Sequence, residues 1–254
     1  MNAQKFFWQP ALQVPALANS RIHVWVWDLD LPVSEADWKI LGPQEATRAR
    51  RFVYPQDRDR YVRAHAAMRM LLASYSNVAP ADILFSENRY GKPQIPATHQ
   101  SPLHFNLSHS AGTAVLAVSQ HYELGVDVEV VRPIHWEVAE KHFSPHELRT
   151  LQTLPQEQWL DGFYRCWTSK ETLLKGEGLG LNLPLDSFDV EVEPQRAPGL
   201  VAVRPPARIA KCWRLIELKP AHNTVGTLAV RDEMQTFLNE TIECFSLSGQ
   251  TNFE

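Results

Sequence analysis

The sequence predicts an α/β fold of the α+β kind, made of two comparable halves that meet near residue 120. Short segments with alternating apolar and polar residues predict strands, and longer segments with apolar residues three or four positions apart predict helices. In addition, "AGTAVLAVS" at 111–119 resembles "VGTLAVRD" at 225–232. This internal similarity indicates two related units, and we assign residues 1–120 to an N-terminal subdomain and 121–254 to a C-terminal one.

The N-terminal half is predicted to begin with a strand and to continue with helices. "RIHVWVWDLD" at 21–30 alternates and is rich in β-branched and aromatic residues, as strands are. Helical patterns begin at about residue 34 and include a long segment at 57–75. "RYGKPQIP" at 89–96 predicts a turn. At 103–119 two apolar runs predict strands, and the polar "NLSHSAG" between them predicts their connection.

The C-terminal half is predicted to contain one strand, three helices and a β-rich end. The strand is "YELGVDVEVV" at 122–131. The helices are expected at 135–142, from Ser144 onward and at 156–175. Ser144, Pro145 and Glu147 form the signature of a capped helix start. Strand-like runs follow at 186–192, 212–218 and 224–230, and the pattern is weak after about residue 232.

The composition excludes several classes of protein. Of 254 residues, 44% are hydrophobic and 21% charged, which is typical of a globular domain. The net charge of −4 argues against a protein whose whole surface binds nucleic acid or an acidic membrane, so any anion site must be local. No apolar run suits a secretion signal or a membrane span, and three scattered cysteines suggest neither disulfides nor zinc. A cytoplasmic protein fits best.

Two carboxylates alternate with valines in "LGVDVE" at 124–129. Side chains two positions apart share a face of a strand, so Asp127 and Glu129 would project together. Such a pair is ordinarily the polar face of a half-buried strand. The alternative is a Mg²⁺ site, because that ion prefers carboxylate oxygens and phosphates as ligands.

A second candidate segment is "WTSKETLLK" at 167–175. On a helix, Trp167, Glu171 and Lys175 share a face, and Lys170 lies beside them. The ordinary interpretation is an exposed Glu–Lys pair worth about 0.2–0.5 kcal/mol. The functional interpretation is a third carboxylate for the metal, with Lys170 and Lys175 binding phosphate.

Two further features concern anions. Ser108 and His109 are neighbours in a predicted strand, so they would point to opposite faces, which disfavours a catalytic triad. His109 is either a buried, hydrogen-bonded histidine or an anion ligand. A cluster of arginines is either a solvated helix face or a site for a phosphorylated small molecule; it comprises Arg48, Arg50, Arg51, Arg58, Arg60 and Arg63.

Together these segments resemble one family. "LGVDVE" resembles the (I/V)-G-(I/V)-D-(I/V)-E signature of 4′-phosphopantetheinyl transferases, and "WTSKETLLK" resembles their W-(S/T)-x-K-E-(A/S)-x-x-K signature. "YGKPQIP" and "FNLSHS" precede them in the expected order. The length is similar to that of the larger, monomeric, surfactin-synthetase-activating type. Thr172 departs slightly from the second signature, and Glu45 stands where the family often has a base.

The resemblance implies a pseudo-twofold arrangement of two α/β subdomains with the active site between them. It also implies a reaction, the transfer of 4′-phosphopantetheine from coenzyme A to a serine of an apo carrier protein, with release of adenosine 3′,5′-bisphosphate. The N-terminal subdomain would bind coenzyme A. The C-terminal subdomain would hold the metal and contact the carrier protein, mainly through "GEGLGLNLPLD" at 176–186, with arginines steering the encounter.

The same resemblance implies the roles of individual residues. Asp127, Glu129 and Glu171 would hold Mg²⁺, although Mn²⁺ fits the same ligands. The catalytic residues would be Glu171, Asp127 and Lys175, and the general base would be Glu171 or a water held by the carboxylates. Glu147 is a second candidate helper. Coenzyme A would contact Arg48, Lys92, Ser108, His109, Asp127, Lys170 and Lys175. Within that set, Ser108 and His109 would bind the 3′-phosphate.

Two other functions remain open at this point. A Mg²⁺-dependent phosphohydrolase or nuclease would also use clustered carboxylates and lysines, but would need no protein acceptor. An RNA-binding module would use the arginine cluster, and its binding would be sensitive to salt. The transferase interpretation predicts two partners, coenzyme A and an apo acyl or peptidyl carrier protein, with neither nucleic acid nor membrane.

Overall fold

The structure, a computed structural model, describes residues 6–96, 103–180, 183–205, 207–235, 237–238 and 241–247. The helices are α1 (Glu35–Ile40), α2 (Pro43–Ala49), α3 (Pro55–Ser76), α4 (Trp136–His142), α5 (Pro145–Thr153) and α6 (Trp159–Glu177). The strands of the first half are β1 (Gln9–Ala11), β2 (Ile22–Asp28), β3 (Ser86–Glu87), β4 (Pro93–Gln94), β5 (His104–Ser110) and β6 (Thr113–Ser119). Those of the second are β7 (Leu124–Val130), β8 (Phe188–Val190), β9 (Leu200–Val203), β10 (Trp213–Leu218), β11 (Thr224–Arg231) and β12 (Ile242–Leu247).

The two halves repeat one topology. In the first half, β2 is followed by three helices and then by β5 and β6, and β6 lies between β2 and β5 in antiparallel pairing with both. In the second, β7 is followed by three helices and later by β10 and β11, and β11 lies between β7 and β10 in the same way. The predicted α/β fold of two similar units is confirmed. The two similar sequence segments form β6 and β11, the central strand of each unit.

The sheets of the two halves pack face to face. Val24 and Val26 of β2 contact the core between the sheets, to which β7 contributes Val126 and Val128. The other face of the first sheet packs against α3, and the other face of the second packs against α6. Valine suits these strands because its branched side chain fills a pleated surface that is buried on that side. The order of layers is therefore α3, sheet, sheet, α6.

The C-terminal tail differs from the sequence-based expectation. The pattern after residue 232 looks weak, and the division at residue 120 assigns this tail to the second half. In the structure, β12 lies in the sheet of the first half, parallel to β1 on one side and to β2 on the other. The reason is that both faces of β2 are buried, so the strand at its open edge must also be apolar on both faces. Cys244 and Phe245 meet that requirement.

The polar segment "NLSHS" also differs from expectation, because it is part of β5 and not a connection. The turn comes later, at Ala111, whose φ of +46° lies in the left-handed region, and Gly112. Asn106, Ser108 and Ser110 alternate along β5, and their side-chain oxygens accept hydrogen bonds from backbone N–H groups of β7. The backbone N–H groups at the edge of β7 thus donate to side chains of β5. This explains why β5, although largely buried, contains so many polar residues.

Candidate active site

The accessible stripe of α6 contains the side chains that the sequence singled out. Between residues 162 and 176 this helix is buried almost all round, and only Trp167, Glu171 and Lys175 are half-buried. Their spacing of four residues puts them on one face of the helix. The accessible part of this helix therefore carries one carboxylate and one ammonium group, and the rest of its surface is buried.

Gly125 allows this helix to approach β7 closely. A Cβ at this position would collide with the carbonyl oxygen of Thr172 and lie 2.7 Å from the backbone nitrogen of Gly176. The glycine of "LGVDVE" is therefore required for packing, two positions before Asp127 on the same face of the strand. This contact brings the stripe of α6 next to the carboxylates of β7.

The centre of the site is a contact between Lys175, Asp127 and Ser108. The Lys175 ammonium lies 2.6 Å from Asp127 Oδ1 and donates to Ser108 Oγ at 2.8 Å. The Ser108 hydroxyl donates to the same carboxylate oxygen at 2.8 Å. Asp127 is buried, whereas the Lys175 side chain is 30% exposed, so the ammonium can also reach a ligand from solvent. Ser108, predicted to bind a phosphate, is hydrogen-bonded within this cluster.

The second carboxylate of β7 has its own hydroxyl partner. Ser110 donates to Glu129 Oε2 at 2.6 Å, two positions along from the Ser108 contact with Asp127. Ser110 and Asn106 are not among the site residues predicted from the sequence. The period-two alternation of Asn106, Ser108 and Ser110 was the signal that could have found them.

The carboxylates influence one another through charge. Burial raises the pKa of Glu171, and the negative charge of Asp127 raises it further. Burial likewise raises the pKa of Glu129, with Asp127 adding to the effect and the Ser110 hydrogen bond opposing it. The second oxygen of Asp127, Oδ2, is buried and has no hydrogen-bond partner. This cluster contains more negative charge than Lys175 compensates.

The carboxylates do not form a ready-made ligand set. Among the residues that the structure describes, no three His, Cys, Asp or Glu side chains lie close enough together to hold a metal ion. Lys175 occupies one oxygen of Asp127, and Ser110 occupies one oxygen of Glu129. Metal binding by Asp127, Glu129 and Glu171 therefore stays a prediction.

Next to the carboxylates is a surface of rings and cations. The rings of Tyr61 and His65 stack with centroids 4.1 Å apart, and the Arg48 guanidinium lies 5.6 Å from the centroid of the Tyr61 ring. Burial lowers the pKa of His109, and the charges of His65 and Lys175 act in the same direction. His109 and Arg48 thus lie near the cluster, and their binding of coenzyme A stays a prediction.

Glu45 replaces the expected base with a carboxylate that is already paired. Its oxygens contact His65 Nδ1 at 2.7 Å and Arg69 Nε at 2.5 Å. It also accepts a hydrogen bond from the Gly42 backbone, at the start of α2. Glu45 therefore connects α2 to α3 through His65 and Arg69, and its oxygens are already used by these contacts.

Lys92 lies where the two halves meet, at the start of β7 and the end of α6. Its ammonium donates to the carbonyl oxygens of Leu124 at 3.1 Å and Gly176 at 2.7 Å. Burial lowers the pKa of Lys92 to about 8, although the charges of Glu123 and Glu177 act in the opposite direction. Gly176 directly follows Lys175 on α6, but the donors of Lys92 face backbone carbonyls.

We expect Lys92 to make the protein more stable as the pH rises from about 8 to 10.5. In this interval the unfolded chain still binds the proton, at its ordinary pKa of 10.5, whereas the folded protein has lost it. The free energy of unfolding then rises with pH, and below pH 8 the full cost of burying the charge remains. Urea unfolding between pH 7.5 and 10 measures the rise, which Lys92→Met should remove. The matched control is Lys219→Met, whose side chain is 75% exposed; parallel curves for wild type and Lys92→Met would contradict the expectation.

Lys170 requires a correction, because it does not reach the cluster. Its side chain is fully buried, and its ammonium lies 2.8 Å from Glu147 Oε1, which is also fully buried. It also donates to the carbonyl oxygens of Leu185 and Phe188, each at 2.6 Å. All three protons of the ammonium are thus used inside the protein. Lys170 and Glu147 form a structural ion pair, and the predicted roles in phosphate binding and catalysis do not fit these positions.

The expected carrier surface at 176–186 is also packed for the most part. Gly176 and Gly178 are buried, and Leu185 contributes to the core of the second half. Among its described residues only Pro184 and Asp186 are exposed. Residues 181–182 lie outside the described part of the chain. The expectation of an exposed apolar surface here is therefore wrong for the residues that the structure describes.

Comparison with known proteins gives one family for both halves. The sequence profile described as "4'-phosphopantetheinyl transferase, N-terminal" matches residues 30–121, and the "4'-phosphopantetheinyl transferase superfamily" profile matches residues 123–229. None of the described helices is both long and apolar enough to span a membrane. A solved holo-[acyl-carrier-protein] synthase from Thermotoga maritima aligns with a TM-score of 0.33 and 20% identity, covering 43% of this chain and 62% of the other.

Two relatives match over most of their length. HetI, a 4′-phosphopantetheinyl transferase of Nostoc sp., is 33% identical over 88% of this chain and 93% of its own. Sfp, a 4′-phosphopantetheinyl transferase of Bacillus subtilis, is 32% identical over 76% of this chain and 86% of its own. Matches that cover most of both chains place this chain in a class of group-transfer enzymes. The chain belongs to the 4′-phosphopantetheinyl transferase family, in the group that is similar to Sfp and HetI.

Proposed function

We propose that this enzyme transfers the 4′-phosphopantetheine group from coenzyme A to a serine hydroxyl of an apo acyl or peptidyl carrier protein. The serine oxygen forms a bond to the phosphorus next to pantetheine, and the bond from that phosphorus to the bridging oxygen breaks. Adenosine 3′,5′-bisphosphate leaves, and the serine proton passes to a base on the enzyme. The observation that carries this proposal is the cluster of Asp127, Glu129 and Glu171 around Lys175, at the face of α6 open to ligands.

We further propose that these three carboxylates hold a divalent cation, Mg²⁺ in the first place. The donor set suits a hard cation, because Mg²⁺ prefers carboxylate oxygens together with substrate phosphates. Two observations support the fit: Asp127 Oδ2 is buried without a partner, and mutual repulsion helps to raise the pKa values of Glu129 and Glu171. When bound, the ion would neutralise charge on the phosphate oxygens.

The side chains of the enzyme would do the rest of the work. Lys175 is half-buried and beside Asp127, so it can bind a phosphate oxygen while keeping its contact with the protein. Glu171 is the candidate general base, because a carboxylate with a raised pKa accepts a proton from the serine more readily. His109 and Arg48 would bind the phosphates of coenzyme A, and Lys92 would lie along it. Positioning and charge neutralisation of this kind are the main contributions to phosphoryl transfer.

The partners and surroundings belong to the same proposal. We infer that the enzyme acts as a monomer in the cytoplasm and binds neither nucleic acid nor membrane. The net charge of −4 supports the second point. Cys166, Cys212 and Cys244 are free thiols, which supports a reducing compartment.

One experiment tests the function against its alternatives. The protein is incubated with Mg²⁺, coenzyme A and several apo carrier proteins, and the mass of each carrier is measured. We expect a gain of one phosphopantetheine that requires the metal and is lost on chelation. Cleavage of coenzyme A without an acceptor would favour a phosphohydrolase instead. Unchanged masses for all carriers, each shown to accept the group from another transferase, would contradict the proposal.

A further inference from the structure

Exposed apolar side chains concentrate at one place in the described part of the chain. Phe52, Val53 and Tyr54, between α2 and α3, are 38%, 84% and 68% exposed. The other exposed large apolar side chains stand singly in the sequence: Phe7, Leu12, Leu84, Val201, Met234 and Leu238. Three in succession form a patch of the kind that marks binding surfaces.

Arginines surround this run. Arg50 and Arg51 directly precede it and are exposed, and Arg58 follows in the first turn of α3. The Arg50 guanidinium lies 5.6 Å from the centroid of the Trp38 ring. Trp38, Arg50, Phe52 and Arg58 line one shallow depression. We call residues 50–54, with Trp38 and Arg58, the basic apolar patch.

The charge of the patch is mixed but positive. Arg58 is paired with its neighbour Asp59 at 2.8 Å, which leaves Arg50 and Arg51 as the main exposed cations. The whole chain carries a net charge of −4, so this is a local departure from the charge of the protein. Exposed arginine with apolar and aromatic side chains is the composition of protein–protein interfaces.

Ring contacts connect the patch to the active site. The Phe52 ring contacts the Tyr61 ring, with centroids 5.3 Å apart, and Tyr61 in turn stacks on His65. The charge of His65 lowers the pKa of His109 on β5, the strand whose Ser108 is hydrogen-bonded to Asp127. A partner seated on the patch would therefore sit beside the proposed coenzyme site and not on a remote surface.

We propose that the basic apolar patch docks the protein acceptor, through an acidic surface of that protein which carries apolar side chains. The inference rests on the proposed function, since that reaction requires a protein acceptor. Arginines would attract the acidic groups and speed the encounter, and the apolar side chains would be buried once the complex has formed. The segment at 176–186, where the sequence placed this contact, is too buried in its described residues to serve alone.

Steady-state kinetics of two patch variants test this proposal. The first is Arg50→Glu/Arg51→Glu and the second is Val53→Ser. We expect each to raise KM for the carrier protein, about tenfold for the charge reversal, with KM for coenzyme A and kcat unchanged. Added salt should weaken the carrier interaction of the wild type more than that of the charge-reversed variant. The matched controls are Arg208→Glu and Met234→Ser, because Arg208 is exposed and Met234 is 81% exposed; both should behave as wild type.

The outcomes separate this proposal from the function on which it rests. A wild type that modifies no carrier would overturn the function itself. A wild type that is active, with patch variants whose KM for the carrier is unchanged, would overturn only the docking surface. A rise in KM for coenzyme A would also overturn it, because the patch would then belong to the coenzyme site. Sedimentation that gives a dimeric wild type and a monomeric charge-reversed variant would make the patch a contact between copies and would count against it too.

Discussion

Asp127→Asn is expected to slow the transfer of phosphopantetheine about a hundredfold or more, while the protein stays folded. Asparagine keeps the shape of the side chain and can still accept hydrogen bonds from Lys175 and Ser108, so the contacts at Oδ1 survive. What is lost is the negative charge, and with it the carboxylate at the centre of the proposed cation site. The carrier mass followed over time gives the rate, and circular dichroism gives the fold.

The control for this variant is Asp82→Asn, which makes the same chemical change at an exposed carboxyl. It should be as active as the wild type. Calorimetry with Mg²⁺ adds a measurement that does not depend on turnover, and we expect weaker binding to Asp127→Asn than to the wild type. Near-normal transfer by Asp127→Asn would remove Asp127 from the mechanism. Loss of activity together with loss of the folded signal would make its role structural.

The strand pattern of β7 could be predicted from the sequence, because strand periodicity decides which side chains share a face. Asp127 and Glu129 alternate with Val126 and Val128, and the structure has the valines between the sheets and Asp127 beside α6. Helical spacing similarly predicted that Glu171 and Lys175 share a face. These relations are local, so they follow from geometry along one element.

The errors arose where the answer depends on what packs against an element. On α6, Lys170 is next to Glu171, and its residue type suggests exposure, since lysine is almost never fully buried unless it is paired. Only the position of Glu147, 23 residues earlier in the chain, supplies the partner that makes burial of Lys170 acceptable. Likewise, β12 joins the first sheet because of the open edge of β2, which no local pattern in the tail reveals.

The ion pair of Lys170 and Glu147 connects three parts of the second half. Glu147 caps the start of α5 by accepting from the Ser144 backbone, and its other oxygen accepts from the Val190 backbone. Lys170 joins α6 to the carbonyls of Leu185 and Phe188. A buried pair of this kind adds little stability over a matched apolar pair, but removing one partner leaves an uncompensated charge inside the protein.

Lys170→Met is therefore expected to lower the free energy of unfolding by about 3–5 kcal/mol, as urea titration at pH 7 measures it. The double variant Lys170→Met/Glu147→Gln removes the stranded charge but keeps a hydrogen-bond acceptor for Val190, so it should recover part of that loss. The matched control is Lys141→Met, because Lys141 is exposed; this variant should unfold like the wild type. If Lys170→Met instead unfolds like the wild type and raises only KM for coenzyme A, the structural role of Lys170 would be refuted in favour of phosphate binding.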